Sequence, residues 1–165
     1  INVSTFRTQN LTNFRMAFYS TKVTSLDISN FNLENVTDMT SAFSDCNNLT
    51  TINLTGVKTT NKLTTVSALF YRNYKLTSVD LSGFDTSSVN SFSYMFYQNR
   101  ELTTIYVSEK FIVKPSANLD YMFDEANKIV GGAGTTYIYS KNRLYARIDD
   151  PSNGKPGYFT YKAAP

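Results

Sequence analysis

Apolar residues return along the chain in one fixed figure, Val23-x-x-Leu26-x-Ile28-x-x-Phe31, then Leu49-x-x-Ile52-x-Leu54-x-x-Val57, then Leu76-x-x-Val79-x-Leu81-x-x-Phe84. A looser copy runs Leu102, Ile105, Val107, and Ile1, Val3 and Phe6 give the same figure without its first member. The strand-like segments start at residues 1, 26, 52, 79 and 105, in steps of 25, 26, 27 and 26. A second column, Phe18, Phe43, Phe70, Phe96 and Phe123, steps by 25, 27, 26 and 27. Two independent columns with one period mark an internal repeat.

Each unit predicts two elements. The alternation at Leu26 and Ile28, with Asp27 between them, predicts a short half-buried strand. Downstream, Val36, Met39 and Phe43 stand three and four apart, as do Leu63, Val66 and Phe70, and Val89, Phe92 and Phe96. That spacing predicts one face of a short helix, with Asn10, Asn35 and Ser88 placed as N-caps. One such unit cannot bury its own apolar edge, so the pattern predicts an α/β repeat fold over residues 1–130. The expected architecture is a right-handed solenoid of five units, with a parallel sheet on one side and short helices on the other. The period fails at Gly131-Gly132-Ala133-Gly134. Beyond it, Leu144–Ile148 and Tyr158–Tyr161 flank a turn-rich Asp149–Gly154, which predicts a hairpin within a capping segment, residues 131–165. The two parts are expected to form one domain.

The skeleton resembles the leucine-rich repeat. Leu26–Thr50 (LDISNFNLENVTDMTSAFSDCNNLT) and Val79–Thr103 (VDLSGFDTSSVNSFSYMFYQNRELT) resemble the repeats of about 26 residues in BspA-like bacterial surface proteins. GGAGTTY at Gly131 and YARIDDPSNGKPGYFT at Tyr145 resemble the segment that closes such arrays. The resemblance implies an extracellular, often wall-anchored protein of Gram-positive bacteria, of a kind usually assigned to adhesion. The third unit departs from it with an extra residue between Val57 and Leu63, and Lys114-Pro115 interrupts the fifth. Because the first unit lacks its opening Leu-x-x, the natural protein is expected to continue N-terminally, with an export signal and an anchor outside this segment.

Composition narrows the function classes. The chain has 165 residues, no His, no Trp, 12 Tyr and a net charge of +3. Its basic residues are scattered, which argues against a nucleic-acid partner, and no apolar run is long enough for membrane insertion. A lone cysteine, Cys46, closes no disulfide, and its place three residues after Phe43 reads as a structural site shared with Thr21, Asn73, Asn99 and Ala126. No triad, phosphate loop or metal-ligand set is present, so the expectation is a non-catalytic module without cofactor or metal. A calcium site on Asp27 and Asp80 is disfavoured because Asn53 separates the two charges.

The outward strand positions Asp27, Asn53, Asp80 and Tyr106 form a polar face that turns aromatic near Tyr137. Tyr106 with Tyr137 is the expected hot spot and Asp27, Asn53 and Asp80 its rim, because aromatic anchors carry most interface energy. Tyr19, Tyr71 and Tyr97, each next to a core phenylalanine, are expected to be partly exposed on the other side, serving either packing or recognition. The expected function is cell-surface adhesion to a host or bacterial protein or glycan, by a monomeric domain of a longer chain. A structural spacer with no ligand is the alternative.

Overall fold

The computed structural model describes residues 2–165; Ile1, where the first expected strand begins, lies outside the described residues. Residues 2–6 form no strand, although Val3 is buried: the Asn2 side chain instead accepts the Ser4 amide in a turn (3.0 Å). The next four strands fall where the figure places them, as β1 (Ser25–Asp27), β2 (Thr51–Asn53), β3 (Ser78–Asp80) and β4 (Thr104–Val107). β1, β2 and β3 each carry one inward apolar residue and β4 carries two, Ile105 and Val107; pairing is parallel one period apart, Leu26 opposite Ile52 and Val79 opposite Ile105.

The sheet is interrupted once, between β2 and β3. The interruption coincides with the unit carrying the extra residue, where Ile52 is left half-buried. The Val57 carbonyl of that unit approaches the next so closely that a Cβ at residue 83 would lie 2.0 Å from its oxygen, and Gly83 alone leaves room.

The helices expected opposite the strands are not formed. Helical turns among the described residues amount to two three-residue 3-10 turns, Tyr139–Lys141 and Pro151–Asn153, both in the end segment. In place of each helix the chain strings tight turns together, with a left-handed residue two positions before and two after each core phenylalanine. These are Met16 and Ser20, Ser41 and Asp45, Ala68 and Arg72, Tyr94 and Gln98, Tyr121 and Glu125, with φ from +54° to +61°. A right-handed helix admits none of them, and each costs roughly 1–2 kcal/mol without a compensating bond.

The compensation comes from the neighbouring coil. In the third coil the amides of Leu69 and Tyr71 close local turns onto the Val66 and Ala68 carbonyls, at 3.2 and 3.1 Å. The alternate amides of Ala68, Phe70 and Arg72 reach Ser93, Met95 and Tyr97 of the next coil, at 2.8, 3.0 and 2.9 Å. A helix would spend every amide within its own coil. Each inter-coil bond contributes about 0.5–1.5 kcal/mol net, comparable to the cost of a left-handed residue. Parallel bridges Asn13–Asp38–Thr65–Ser91–Asn118 open this second ladder. The side chains of Asn13, Asp38 and Asn118 accept the amide two residues on, at 2.7–2.8 Å, and so close the turns there. The three-and-four spacing was thus correctly apolar, but it belongs to turns: residues three apart also share a face in a turn string.

The core phenylalanines stack through the array. Successive rings from Phe18 to Phe123 lie 5.3–5.9 Å apart at interplanar angles of 3–17°. Beside them the buried amides of Asn73 and Asn99 donate to the Phe43 and Phe70 carbonyls, at 2.9 and 2.8 Å. Cys46 occupies the same column, its thiol 3.1 Å from the Phe18 carbonyl and pushed up in pKa by burial.

The end segment closes the array differently from the expected hairpin. A fifth strand, β5 (Phe159–Tyr161), pairs parallel with β4, and Ile148 bridges Phe159 in parallel too. Tyr158 is fully buried edge-on against Phe123, and its hydroxyl donates to the Ile138 carbonyl (2.8 Å). Asp149 ties the glycine turn to this cap. It accepts the amides of Ala133, Thr135 and Gly157 at 2.9–3.0 Å and the Thr135 hydroxyl at 2.5 Å. Burial alone would raise the Asp149 pKa, but these donors outweigh it and hold the group below its ordinary 3.8.

Two predictions follow from these backbones. Ala68→Gly should stabilise the chain by about 0.5–1 kcal/mol in chemical denaturation, because glycine relieves the positive φ; a helix at this site would lose about 1 kcal/mol. Asp149 favours folding fully above its ordinary pKa, and the contribution is lost as pH falls through its lower folded value. Asp149→Asn should therefore cost about 2–4 kcal/mol near neutrality and flatten the acid limb of the thermal midpoint against pH. An unchanged acid limb would show that another group governs it.

Candidate binding faces

On the strand side, register brings Asp27 beside Asn53 and Asp80 beside Tyr106. The three rim residues share a structural task. Their side chains accept the amides of Ser29, Thr55 and Ser82, at 2.9, 3.0 and 3.0 Å, closing the turn that follows each strand. The Ser29 hydroxyl and amide also hold the Asp27 carboxyl below its ordinary pKa.

Chain from the C-terminal end lies over part of this face. Lys162 pairs with Asp80, and its ammonium sits 5.7 Å from the centre of the Tyr106 ring. Although burial raises the Asp80 pKa, Lys162 and Ser82 outweigh it and hold the carboxyl low. Tyr106 itself is half-buried and opposite Thr160 of β5. Tyr137 has other neighbours: it stacks on Tyr158 at 5.7 Å, and its hydroxyl accepts from Asn142, which also donates to Asp124. The two members of the expected hot spot are therefore held by different parts of the end segment.

The turn side carries a larger aromatic surface. Tyr71 and Tyr97 of neighbouring coils stack at 5.3 Å and 9°, and Tyr94 stacks on Tyr121 at 5.0 Å and 18°. Edge contacts at 5.6 and 6.2 Å join the two pairs into one cluster. Arg72 and Arg100 lie over the Tyr74 ring at 5.8 and 5.3 Å, and Arg72 also pairs with Asp45 at 3.5 Å. Tyr94 and Tyr121 were not anticipated. They occupy the left-handed position two before the core phenylalanine, which points outward on a turn string, and their common step of 27 was the signal available.

The surface hollows include two lined by several aromatic residues. One of about 570 Å³ lies at the N-terminal end of the array, among Phe6, Phe14, Phe18 and Phe31. The other, about 430 Å³, lies on the turn side between Tyr19 and the pair Tyr71 and Tyr94, over Ser41, Ser44 and Ala68.

A family described as "Mycoplasma protein of unknown function, DUF285" matches residues 1–104 and again residues 52–134. The chain belongs to that family. The second match begins two repeat periods after the first, so the DUF285 pattern slides along the array by whole units, and both matches stop before the end of the capping segment. No curated protein and no solved structure matches the chain. Among the described residues of this DUF285 chain, no helix is long and apolar enough to cross a membrane.

Replacing Lys162 by Ala should return the Asp80 pKa towards 3.8, as read from side-chain carboxyl shifts in an NMR titration. A value that stays low after the replacement would mean that the Ser82 turn alone sets it.

Proposed function

We propose that the chain is a non-catalytic binding module of an extracellular bacterial surface protein, with its turn side as the recognition face. The observation that carries this reading is the outward tyrosine cluster, Tyr71, Tyr94, Tyr97 and Tyr121, bordered by Arg72 and Arg100. Tyrosine and arginine are the residues that anchor interfaces, because they offer large contact area with few rotatable bonds and a polar tip. Core packing does not require these rings, since the phenylalanine column beneath them already fills the interior. The likeness of the repeats to BspA-like adhesins supports a surface location and an adhesive role.

The strand side is the less favoured face, because Lys162 already engages Asp80 and Tyr106. Binding of the purified chain to immobilised fibronectin, fibrinogen, mucin and a glycan array tests the reading. We expect saturable binding to at least one surface, weakened tenfold or more by the double change Tyr71→Ala and Tyr94→Ala, about 1.4 kcal/mol or more. Loss through Tyr106→Ala instead would move recognition to the strand side. Absence of saturable binding to every surface would favour the spacer.

A further inference from the structure

We infer that the cleft between Tyr19 and Tyr71 binds one pyranose ring of a neutral glycan, sandwiched between the two tyrosine faces. The inference rests on the turn side being the recognition face, and it names the ligand class of that face.

The cleft exists because one ring is missing from a column. The position after each core phenylalanine reads Tyr19, Ser44, Tyr71, Tyr97 and Asp124 along the array. Where tyrosines occupy consecutive coils, at 71 and 97, they stack face to face at 5.3 Å. At the second coil the tyrosine is replaced by Ser44, and the left-handed positions beside it are Ser41 and Ala68, where later coils carry Tyr94 and Tyr121. The result is a shallow slot, open to solvent, with small residues beneath it, Tyr19 on one side and Tyr71 with Tyr94 on the other.

Its width selects among ring-shaped ligands. The two wall residues are two coil spacings apart, about twice the 5.3 Å that separates Tyr71 and Tyr97 in adjacent coils. A planar ring in contact with both walls needs only about 7 Å, at about 3.5 Å per contact. A puckered saturated ring with hydrogens on both faces is thicker and fills the slot better. Sugars present such faces: their C–H groups pack on an aromatic surface while the hydroxyls project from the ring edge.

The rim suits those hydroxyls. Asp45 lines the cleft and accepts hydrogen bonds, and Arg72, 3.5 Å from it, donates them. The Ser44 hydroxyl is buried and donates to the Ala68 carbonyl (2.6 Å), which fixes the floor and leaves hydroxyl recognition to the rim. Donors and acceptors are both present and the charges cancel. Because Asp45 and Arg72 pair with each other, neither an anion nor a cation gains a net Coulombic advantage here, and the rim favours a neutral polyhydroxylated ligand. The volume, about 430 Å³, lies within the range of small-molecule sites, and the Tyr71 wall, held against Tyr94 and Tyr97, needs little reorganisation on binding.

The test uses the full chain with cellohexaose, chitohexaose, maltohexaose and mannohexaose as neutral probes and a hyaluronan hexasaccharide as the acidic one, followed by calorimetry. At least one neutral hexasaccharide should bind and hyaluronan should not. Tyr19→Ala and Tyr71→Ala should each weaken binding tenfold or more, whereas Tyr139→Ala, on the exposed end segment, should leave it unchanged. Ser44→Tyr places in the second coil the residue that the first, third and fourth already carry. It should fill the slot and abolish binding while the circular dichroism is kept and the thermal midpoint falls only by the loss of the Ser44–Ala68 bond. The inference is overturned if no neutral hexasaccharide binds, or if binding survives Ser44→Tyr in a folded chain. If glycans fail but a protein ligand is lost on Tyr71→Ala, the ligand class is wrong and the recognition face stands; if no tyrosine change matters to any ligand, both fall.

Discussion

The hydrogen bonds that alternate amides of each coil make to the carbonyls of the next govern the rest of this structure. They force the residues on either side of each core phenylalanine into left-handed conformations, and they set the spacing at which Phe18, Phe43, Phe70, Phe96 and Phe123 stack. A coil on its own would carry the conformational cost without the bonds that offset it, so the array gains stability only as neighbours are added. The same ladder explains why a one-residue insertion is tolerated. Between Val57 and Leu63 it breaks the strand pairing, yet the turn-side bridge from Asp38 to Thr65 is kept.

Much of this order was legible as period. The strand figure located β1 to β4 to within a residue, and the phenylalanine column located the stack. The helices misled for a physical reason: Leu63, Val66 and Phe70 share a face in a helix and in a string of turns, and apolar spacing does not report the sign of φ. The residues that reveal the difference are Ser41, Asp45, Ala68 and Arg72, none of which is glycine. Propensity gave no warning, because the left-handed conformation is imposed by the neighbouring coil. The cap was misjudged for a related reason. Its turn-formers suggested antiparallel return, but the open edge of β4 offers parallel pairing that β5 accepts.

The candidate faces were legible in part. The outward column of Asp27, Asn53 and Asp80 was found, but its side chains close turns, and the residue that covers its Asp80 end, Lys162, lies 82 positions from Asp80. No local pattern reports such a contact. The tyrosines of the turn side were visible as single residues, whereas their union into a cluster depended on Tyr94 and Tyr121 pointing outward. Since the ladder is made by backbone groups, side chains on this side are free to differ from coil to coil. The replacement of tyrosine by Ser44 in the second coil is such a difference, and it turns a continuous aromatic surface into one with a slot.

What separates this fold from a helical repeat is that amides around the core phenylalanines bond between coils. Scalar couplings transmitted through hydrogen bonds report this directly in an isotope-labelled sample. A cross-peak is expected from the Phe70 amide nitrogen to the Met95 carbonyl carbon, with matching peaks from Ala68 to Ser93 and Arg72 to Tyr97. A coupling from Phe70 to the Val66 carbonyl would mean instead that the segment is a helix and that the coils are not joined by these bonds.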